Sequence, residues 1–507
     1  MKRAAVIAFS LILLSSFCGN LLAVTYLVGP GKTYTKLQDV ADLLRPGDVV
    51  NVDGNATYPA NANLSQIGTA NNWITVSGIK PAGGTRPIIT GTGAYGINIT
   101  GDYVVFQGFE VIGSPKGIGV FGDNIKVRGC VIHGCNHGLI GYGTGTGNVT
   151  VEYCEFYGNG VPTGGATQHQ IYMATDEIAH PGSTFRLQYC YLHDGVEGDN
   201  VKTRSERNEI YYNWIELAGT SGHGLGLFAP DPSDNADVTV NTAREDADVV
   251  GNVIIQARNA CARIGGDTPG YPTNGRYRFV NNTFILTSAR GDAIRTFNTI
   301  ETLEMYNNVV YGAVAGADIR VVNDADGAWV HTPRSVTGAN NWIVTGATML
   351  PSAAEWTNTL RGSASPFVNA DTKDFRPGSG SALVNAGAAS TPTIAAYPFP
   401  NPLFPPAYLP PQAALIDTGS ATHRPNDGAI DIGAFEASPQ SVLNGLPGKN
   451  RIAALGLQGT GHADFRVYGA DGRLVRSLSG SGAGMRIIRF VNGDKTVIQG
   501  KVIIKLQ

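Results

Sequence analysis

VRGCVIHG (127–134), VEYCEFYG (151–158) and LQYCYLHD (187–194) are three versions of one phrase, and each has a Cys in fourth place. Four later versions carry Asn there: IYYNWIEL (210–217), VVGNVIIQ (249–256), FVNNTFIL (279–286) and MYNNVVYG (305–312). The fourth places, at 130, 154, 190, 213, 252, 282 and 308, are separated by 24, 36, 23, 39, 30 and 26 residues. A unit of this size with occasional insertions predicts a solenoid.

The units consist of short β-branched strands broken by Gly and Asn, without a useful stretch of helical periodicity. In stacked turns, Asn amides hydrogen-bond along the stack, and Cys fills the same place where a small apolar group suffices. From about residue 25 to 350 the sequence resembles the right-handed parallel β-helix superfamily. We therefore predict an all-β chain: a right-handed parallel β-helix with a small C-terminal β-sandwich-like domain.

The cysteines favour a stack of buried thiols over disulfide or metal chemistry. Removal of Cys18 with a leader would leave five, an odd number that does not fit a closed disulfide framework. No Cys and His spacing in the sequence is that of a zinc site.

Composition indicates a large globular core and excludes a generally basic protein. The chain has 507 residues, 42% of them hydrophobic, a formal net charge of -3 and a pI near 6.3. Neither nucleic acid nor an anionic membrane is attracted by such a charge balance. Any binding site for an anion must be local, and we expect no nucleic-acid partner, no membrane insertion and a monomer.

The N-terminus predicts export. Lys2 and Arg3 precede an apolar run from Ala4 to Leu14, and Ala23 offers a small residue for cleavage, the pattern of a secretory signal peptide over residues 1–23. The expected location of the protein is extracellular or at the cell surface.

Three regions follow the leader. We predict the β-helix over 24–350, a loop-rich closing segment over 351–445 and a C-terminal β domain over 446–507. The phrases DFRPGSGSALVNAG (374–387) and NDGAIDIGAFE (426–436) resemble the segment that closes many secreted β-helix proteins. VYGADGRLVRSL (467–478) predicts a hairpin around Asp471-Gly472, and together with GKVIIKLQ (500–507) it resembles the sorting domains of the type nine secretion system.

A second strand in each unit supplies the face on which chemistry is expected. If Ile171, Val201, Leu225, Ile294 and Ile319 point inward, alternation places the following residues outward in one column: Tyr172, Lys202, Gly226, Arg295 and Arg320. Arg263, in ACARIGG (260–266), fits either register, and the outward one is favoured. A second column, two places before the inward apolar residue of each strand, holds His137, His169, Asp199 and His223.

These columns predict one patch on consecutive units. Units stack about 4.8 Å apart, so Tyr172 and Lys202 would be direct neighbours, and Gly226 would leave an open floor for a sugar ring. Insertions at 158–168 and 229–248 would form walls. The second wall is acidic. We expect a solvated loop there, with a Ca²⁺ site as the alternative, and the candidate ligands are Asp231, Asp234 and Asp237.

Cations on an exposed sheet face suit an extended anionic polymer. The phrase NVKTRS (200–205), followed by Asn208 and Asn213, resembles the "N-K-S" and "N-x-x-x-x-N" phrases of β-helix polysaccharide lyases, particularly the alginate lyase and chondroitinase B family. The resemblance implies a carbon-oxygen lyase that cleaves an acidic, uronate-containing polysaccharide by β-elimination, with Lys202 as the base.

β-Elimination removes a weakly acidic proton beside a carboxylate, so it needs a base and a cation that neutralises the carboxylate. Arg204 and Arg207 would disfavour the ammonium form of Lys202, while Tyr172 or His223 would protonate the leaving oxygen. The candidate catalytic residues are Lys202, Arg204, His223, Tyr172 and His169. The candidate substrate-binding residues are Asp199, Arg207, Arg263, Arg295 and Arg320.

The sequence departs from this family in one place and leaves two alternatives. Those lyases carry an Arg on the next strand, where GHGLGLF (222–228) offers His223, so His223, Arg263 or Arg295 would replace it. Gly198-Asp199-Asn200 and Gly222-His223-Gly224 also resemble phrases of polygalacturonase-like inverting glycoside hydrolases, which need two carboxyl groups. Asn200 removes one carboxyl, and Glu197 and Asp199 remain. The third interpretation is a non-catalytic carbohydrate-binding surface protein with solvated cations.

Overall fold

The computed structural model describes residues 23–162, 168–219, 221–230, 245–266, 273–297, 300–324, 335–348, 356–426 and 428–437, together with four later strands. Within these residues the chain winds through three long parallel sheets, which we call A, B and C. Each coil contributes one strand to each sheet in turn, and the architecture is a right-handed parallel β-helix, as predicted.

The described strands of the three sheets have the following bounds. Sheet A has 13 strands: Thr25–Val28, Val49–Asp53, Ile74–Ile79, Val104–Gln107, Ile125–Arg128, Val149–Glu152, Thr184–Gln188, Arg207–Tyr211, Asp246–Val250, Arg276–Val280, Thr302–Tyr306, Ser335–Ala339 and Trp356–Thr357. Sheet B has 12: Thr57–Pro59, Ile88–Thr90, Glu110–Ile112, Val131–His133, Glu155–Tyr157, Tyr191–His193, Trp214–Glu216, Val253–Gln256, Thr283–Leu286, Val309–Gly312, Trp342–Val344 and Leu360–Gly362. Sheet C has 10: Ala62–Leu64, Tyr95–Ile99, Lys116–Val120, His137–Gly141, Ile171–Met173, Val201–Thr203, Leu225–Phe228, Ala260–Gly265, Arg290–Phe297 and Asp318–Asp324.

The repeated phrase forms the turn from sheet A to sheet B. Its fourth-place residues stack in one buried ladder, in which each backbone N–H donates to the side chain of the next coil. The Asn steps measure 2.8–3.0 Å, and the backbone N–H groups of Cys130 and Cys154 donate to the next Sγ at 3.4 Å. Asn341 continues the ladder by one coil. The five described cysteines are buried thiols, so the predicted thiol stack is confirmed.

The residue before each ladder position turns the chain. From Gly129 to Asn340 this residue has a left-handed backbone, with φ between 54° and 70°. Glycine and asparagine adopt this conformation readily, but Tyr153, Tyr189 and Tyr212 also adopt it. Their rings stack on each other, with centroids 4.9 and 5.6 Å apart, and thus form part of the packing that holds the turn.

Two short 3₁₀ helices, Leu37–Asp39 and Ala41–Leu43, bury Leu37 and Ala41 in the core at the N-terminal end. At the other end, strands Trp356–Thr357 and Leu360–Gly362 carry the parallel pairing past residue 350, where we predicted the solenoid to stop. Within the described residues there is no helix with the length and apolar character that crossing a membrane requires.

The segment after the last coil packs along sheets A and B. It includes the antiparallel pair Phe367–Asn369 and Asp374–Pro377. Phe375, Leu383 and Phe435 pack with Trp214 and Trp342 of sheet B, and an Arg278 guanidinium nitrogen of sheet A donates to the Leu403 carbonyl at 3.2 Å. Because these contacts lie on sheets A and B, the outer face of sheet C is the one left for a ligand.

A separate small antiparallel sheet contains Arg466–Tyr468, Leu474–Val475, Arg486–Asn492 and Thr496–Val502. The strands of the predicted hairpin pair as Val467 with Val475 and Tyr468 with Leu474. The Asp471-Gly472 turn and the leader at 1–22 lie outside the described residues.

The ladder makes a direct stability prediction. The Asn252 amide accepts from the backbone N–H of Asn213 at 2.8 Å and donates to the Ile210 carbonyl at 2.8 Å. Asn252→Ala leaves both groups buried and unpaired, so we expect a loss of about 3 kcal/mol in the free energy of unfolding. Urea titration followed by circular dichroism measures it, with the exposed Asn71→Ala as control. Equal midpoints for the two variants would contradict this account of the ladder.

Candidate active site

The outer face of sheet C carries the predicted central column. Strand pairing aligns Tyr172 with Lys202, Lys202 with Gly226, Gly226 with Arg263, and Arg263 with Arg295. The inward partners Ile171, Val201, Leu225, Ala262 and Ile294 are fully buried. Arg263 therefore takes the outward register, and its side chain is partly exposed like those of Tyr172, Lys202 and Arg295.

Arg320 does not continue this column, which corrects the prediction. Val322, not Ile319, is the partner of Ile294, so Arg295 lies beside Asn323, while Arg320 pairs with Asp292 and forms an ion pair with it. The register of the last strand is set by its buried residues, and it differs by three positions from the one that the apolar pattern suggested. Arg320 is thus neutralised by Asp292 rather than presented to a substrate.

The floor expected at Gly226 is occupied. A Cβ atom at Gly226 would lie 2.6 Å from the Phe228 ring, which therefore lies over the glycine and is itself buried. Three cations surround this ring: its centroid is 5.2 Å from Lys202 Nζ, 5.7 Å from the Arg204 guanidinium carbon and 4.6 Å from that of Arg263. The electron-rich ring face attracts cations and so holds the three together.

Phe297, two coils further along the helix, has a similar arrangement. Its ring centroid is 4.0 Å from the Arg263 guanidinium carbon and 4.8 Å from that of Arg295. Sequence reasoning missed both phenylalanines. The signal was present, because each Phe stands two places after a member of the central column, Gly226 or Arg295.

The second predicted column is a hydrogen-bonded ladder. His137 Nδ1 accepts the backbone N–H of His169 at 3.4 Å, and His169 Nδ1 accepts that of Asp199 at 2.9 Å. Asp199 Oδ1 accepts the backbone N–H of His223 at 2.7 Å. The same oxygen lies 2.9 Å from His223 Nδ1.

These bonds determine where the protons are. His169 Nδ1 is an acceptor, so its ring proton is on Nε2. Burial, and then the positive charges of Lys202 and its neighbours, lower the pKa of His169 to about 3 despite the opposing effect of Asp199. His169 is therefore neutral near pH 7, with Nε2–H as a hydrogen-bond donor.

Asp199 and His223 form the second proton-holding unit. Burial alone would raise the pKa of Asp199, but the hydrogen bond and charge of His223, followed by the charge of His169, hold it below its ordinary value. The ionised carboxylate accepts from His223 Nδ1–H, which leaves His223 Nε2 as the nitrogen that takes up or releases a proton. The His223 side chain is 10% exposed to solvent.

Lys202, Arg204 and Arg207, the three neighbouring cations of the sequence, lie in three different environments. Lys202 lies on the face. Arg204 is buried beside the Phe228 ring and donates to the Ala229 carbonyl. Arg207 lies in sheet A, where it donates to the Pro400 carbonyl at 2.8 Å. Its guanidinium carbon lies 4.8 Å from the Phe399 ring centroid. Arg207 binds the closing segment, which corrects its assignment to substrate.

The phrase that resembled a hydrolase motif is divided between the outside and the inside. Asn200 points inward, fully buried, and accepts from Gln170 Nε2 at 2.7 Å within an internal amide ladder. Glu197 is also buried, with its backbone packed against Gly160 and Gly219. Asp199 is thus the carboxyl of this phrase that meets the histidines.

The predicted calcium ligands Asp231, Asp234 and Asp237 lie outside the described residues, as do 163–167 of the first predicted wall and most of the second. Within the residues that the structure does describe, no group of three or more His, Cys, Asp or Glu side chains has the arrangement of a metal site.

Comparisons with known proteins agree with the fold. The family model described as "Right handed beta helix region" matches residues 71–254. Among solved structures, the chain is similar to pectate lyase Pel9A, with a TM-score of 0.49 and 15% identity over 82% of this chain and 96% of that one. It is also similar to an alginate lyase from Paenibacillus sp. str. FPU-7, with a TM-score of 0.40 and 14% identity over 67% of this chain and 98% of that one. A rhamnogalacturonan lyase is similar with a TM-score of 0.44 and 17% identity over 63% of this chain and 87% of that one. A search of curated proteins gives no match.

The His169 environment predicts acid sensitivity. Its folded pKa of about 3 lies below the unfolded value of about 6.5, so the unfolded chain binds one more proton between those values. Stability should fall as pH falls through this window, by up to about 1.4 kcal/mol per pH unit. His137, with a pKa lowered to about 4 by burial and Lys116, adds to the effect, whereas Asp199 adds to it only at lower pH.

We expect His169→Gln to reduce the slope of unfolding free energy between pH 4 and pH 6 by about 1.4 kcal/mol per unit. Urea midpoints measured at several pH values test it, with the exposed His423→Gln as the matched control. An unchanged slope in His169→Gln would mean that this ring is protonated in the folded protein.

Proposed function

We propose that this protein is an exported polysaccharide lyase that cleaves a uronate-containing polymer by β-elimination. The observation that carries the proposal is the column of Lys202, Arg263 and Arg295 on the face of sheet C, beside the hydrogen-bonded pair of Asp199 and His223. The column provides a row of cations for the carboxylates of the polymer, and the pair provides a histidine that can donate a proton.

The arginines bind and neutralise carboxylates. Arg263 and Arg295 are adjacent in the column, one strand spacing of about 4.8 Å apart in their backbones, and both guanidinium groups lie by the Phe297 ring. A guanidinium binds a carboxylate through two parallel hydrogen bonds. Neutralising the uronate carboxylate makes the proton on the neighbouring carbon acidic enough to be removed.

Lys202 is the proposed base. Its Nζ lies 5.7 Å from the Tyr172 ring centroid and 5.2 Å from that of Phe228, so two aromatic rings lie beside the amine. The charges of Arg204 and Arg263 meet at the same Phe228 ring, and like charge favours the neutral amine. The neutral amine takes the proton next to the carboxylate, and the carbon–carbon double bond forms as the glycosidic carbon–oxygen bond breaks.

His223 is the proposed donor to the leaving oxygen. It stands one coil beyond Lys202 and three residues before Gly226, the residue that pairs with Lys202, so that a sugar unit can lie between the two side chains. The Asp199 carboxylate stabilises the imidazolium and directs Nε2 as the acidic nitrogen. Tyr172 lies beside Lys202 on the preceding coil and positions the sugar ring in this scheme.

Asp199 is poorly suited to hydrolysis. An inverting hydrolase needs one protonated carboxyl group as acid, and the pKa of Asp199 is held low by His223. Asn200 and Glu197 are buried. Export through the 1–23 leader and surface sorting by the C-terminal domain are further parts of the proposal, supported by the sequence patterns, and we propose action as a monomer. A Ca²⁺ site at Asp231, Asp234 and Asp237 stays the alternative to a solvated loop.

Lys202→Ala should lower kcat/KM for β-elimination by at least about 100-fold, because a positioned base is lost. The test follows ultraviolet absorbance of the unsaturated uronate product with alginate, polygalacturonate, chondroitin and ulvan, with and without EDTA, and the exposed Lys80→Ala serves as control. New reducing ends without absorbance would show hydrolysis instead, and no product from any polymer would favour a binding protein.

His223→Ala should lower kcat strongly and change the shape of the pH–rate profile, whereas Tyr172→Phe should act mainly on KM. Asp199→Asn keeps a hydrogen-bond acceptor for His223 Nδ1–H but removes the negative charge beside it, so we expect kcat to fall. A normal profile in His223→Ala would exclude this residue as the proton donor.

A further inference from the structure

A line of aromatic rings lies on sheet C on the N-terminal side of Lys202. Tyr95, Phe121, Tyr142 and Tyr172 come from four consecutive coils, and all four side chains are partly exposed. Their centroids are separated by 5.7, 5.5 and 6.4 Å, and each pair meets edge to face. The line ends at Lys202, whose Nζ lies 5.7 Å from the Tyr172 centroid.

Tyr95 and Phe121 lie low over the sheet because the central column has a glycine, Gly119, beneath these two rings. A Cβ at Gly119 would lie 2.7 Å from the Phe121 ring and 2.8 Å from that of Tyr95. The same device places Phe228 over Gly226. The aromatic line and the cationic column thus form one continuous surface along the helix axis.

The charge of this surface changes along its length. The central column reads Asn98, Gly119 and Ile140 beside the rings, and then Lys202, Arg263 and Arg295. The cation found beside the rings is Lys116, whose Nζ lies 3.3 Å from the Tyr95 hydroxyl and 4.9 Å from its ring centroid. Burial would lower the pKa of Lys116, but the hydrogen bond and charge of Tyr95 outweigh it and raise that pKa.

We infer that this aromatic line is a second binding segment for the same polysaccharide, an extension of the proposed active site and therefore resting on the proposed function. Tyr95, Phe121 and Tyr142 pack on the apolar faces of sugar rings, and Lys116 binds a single carboxylate. The segment spans three strand spacings, about 14 Å, so it meets sugar units distant from the cleaved bond. The substrate is a long acidic chain lying along the helix axis, bound by ring packing at one end and by charge at the other.

The test measures polysaccharide binding by protein that carries Lys202→Ala. This variant lacks the proposed base, so the polymer stays intact during the measurement. Affinity electrophoresis through gels that contain alginate, polygalacturonate or chondroitin sulfate compares this protein with versions that also carry Phe121→Ala and Tyr142→Ala. Retardation by at least one polymer should weaken roughly tenfold when both rings are removed, the size expected for lost aromatic contacts. Tyr142→Phe keeps the ring and should retain binding, which separates contact from misfolding.

Trp73 and Lys126 provide the matched control. Lys126 Nζ lies 4.4 Å from the Trp73 ring centroid, the same kind of aromatic and lysine pair, but on sheet A. Trp73→Ala with Lys126→Ala should leave retardation unchanged. Equal loss in the control pair, retardation that is indifferent to Phe121 and Tyr142, or no retardation by any of the three polymers would each overturn the inference.

Salt and activity distinguish the two proposals. Loss of the rings should lower kcat/KM for long polymer through KM and leave short oligosaccharides unaffected, and the remaining binding should become more sensitive to salt. Ring-dependent binding without cleavage by the wild-type protein would support the binding segment and reject the lyase. Cleavage that does not depend on the rings would support the lyase and reject the binding segment.

Discussion

The interaction on which the structure depends is the hydrogen bond from a backbone N–H to the side chain of the next coil. At the fourth place of the repeat, buried Asn and Cys side chains accept this bond in successive coils and so set one coil directly over the next. Once that register is set, strand alternation determines which residues of sheet C point outward. The columns that carry the candidate chemistry are therefore a consequence of a ladder on the opposite side of the core.

The candidate site uses the same type of bond, in the opposite direction, for a chemical purpose. His137, His169 and Asp199 each accept the backbone N–H of the next coil, whereas each buried asparagine accepts that of the preceding coil. The bond that aligns the coils also decides which nitrogen of His169 carries the proton, and it helps to keep Asp199 ionised against burial. Asp199 then orients His223. A structural repeat and a proton-holding pair are thus one continuous arrangement, and neither needs a dedicated loop.

Most of the fold and the two outward columns were predictable from the sequence, because both follow from periodicity. Three features were not. Arg320 depends on the register of the last sheet C strand, where the apolar pattern fits more than one alignment. Arg207 depends on a segment almost 200 residues later that packs against it. Phe228 lies over Gly226 because of its rotamer, which alternation does not determine. Periodicity describes neighbouring coils, whereas these features depend on distant contacts and side-chain direction.

A β-helix by itself does not identify an activity, so the argument for function must come from the arrangement on its face. A solvated guard against aggregation needs scattered cations, without aromatic rings between them. Here Phe228 and Phe297 bring Lys202, Arg204, Arg263 and Arg295 together around two rings, and uncharged rings continue the line towards the N-terminus. Bringing like charges together opposes folding unless an anion or an aromatic face offsets their repulsion. The rings contribute to that offset, so the cations and the rings form one arrangement, and this arrangement is what the proposed function rests on.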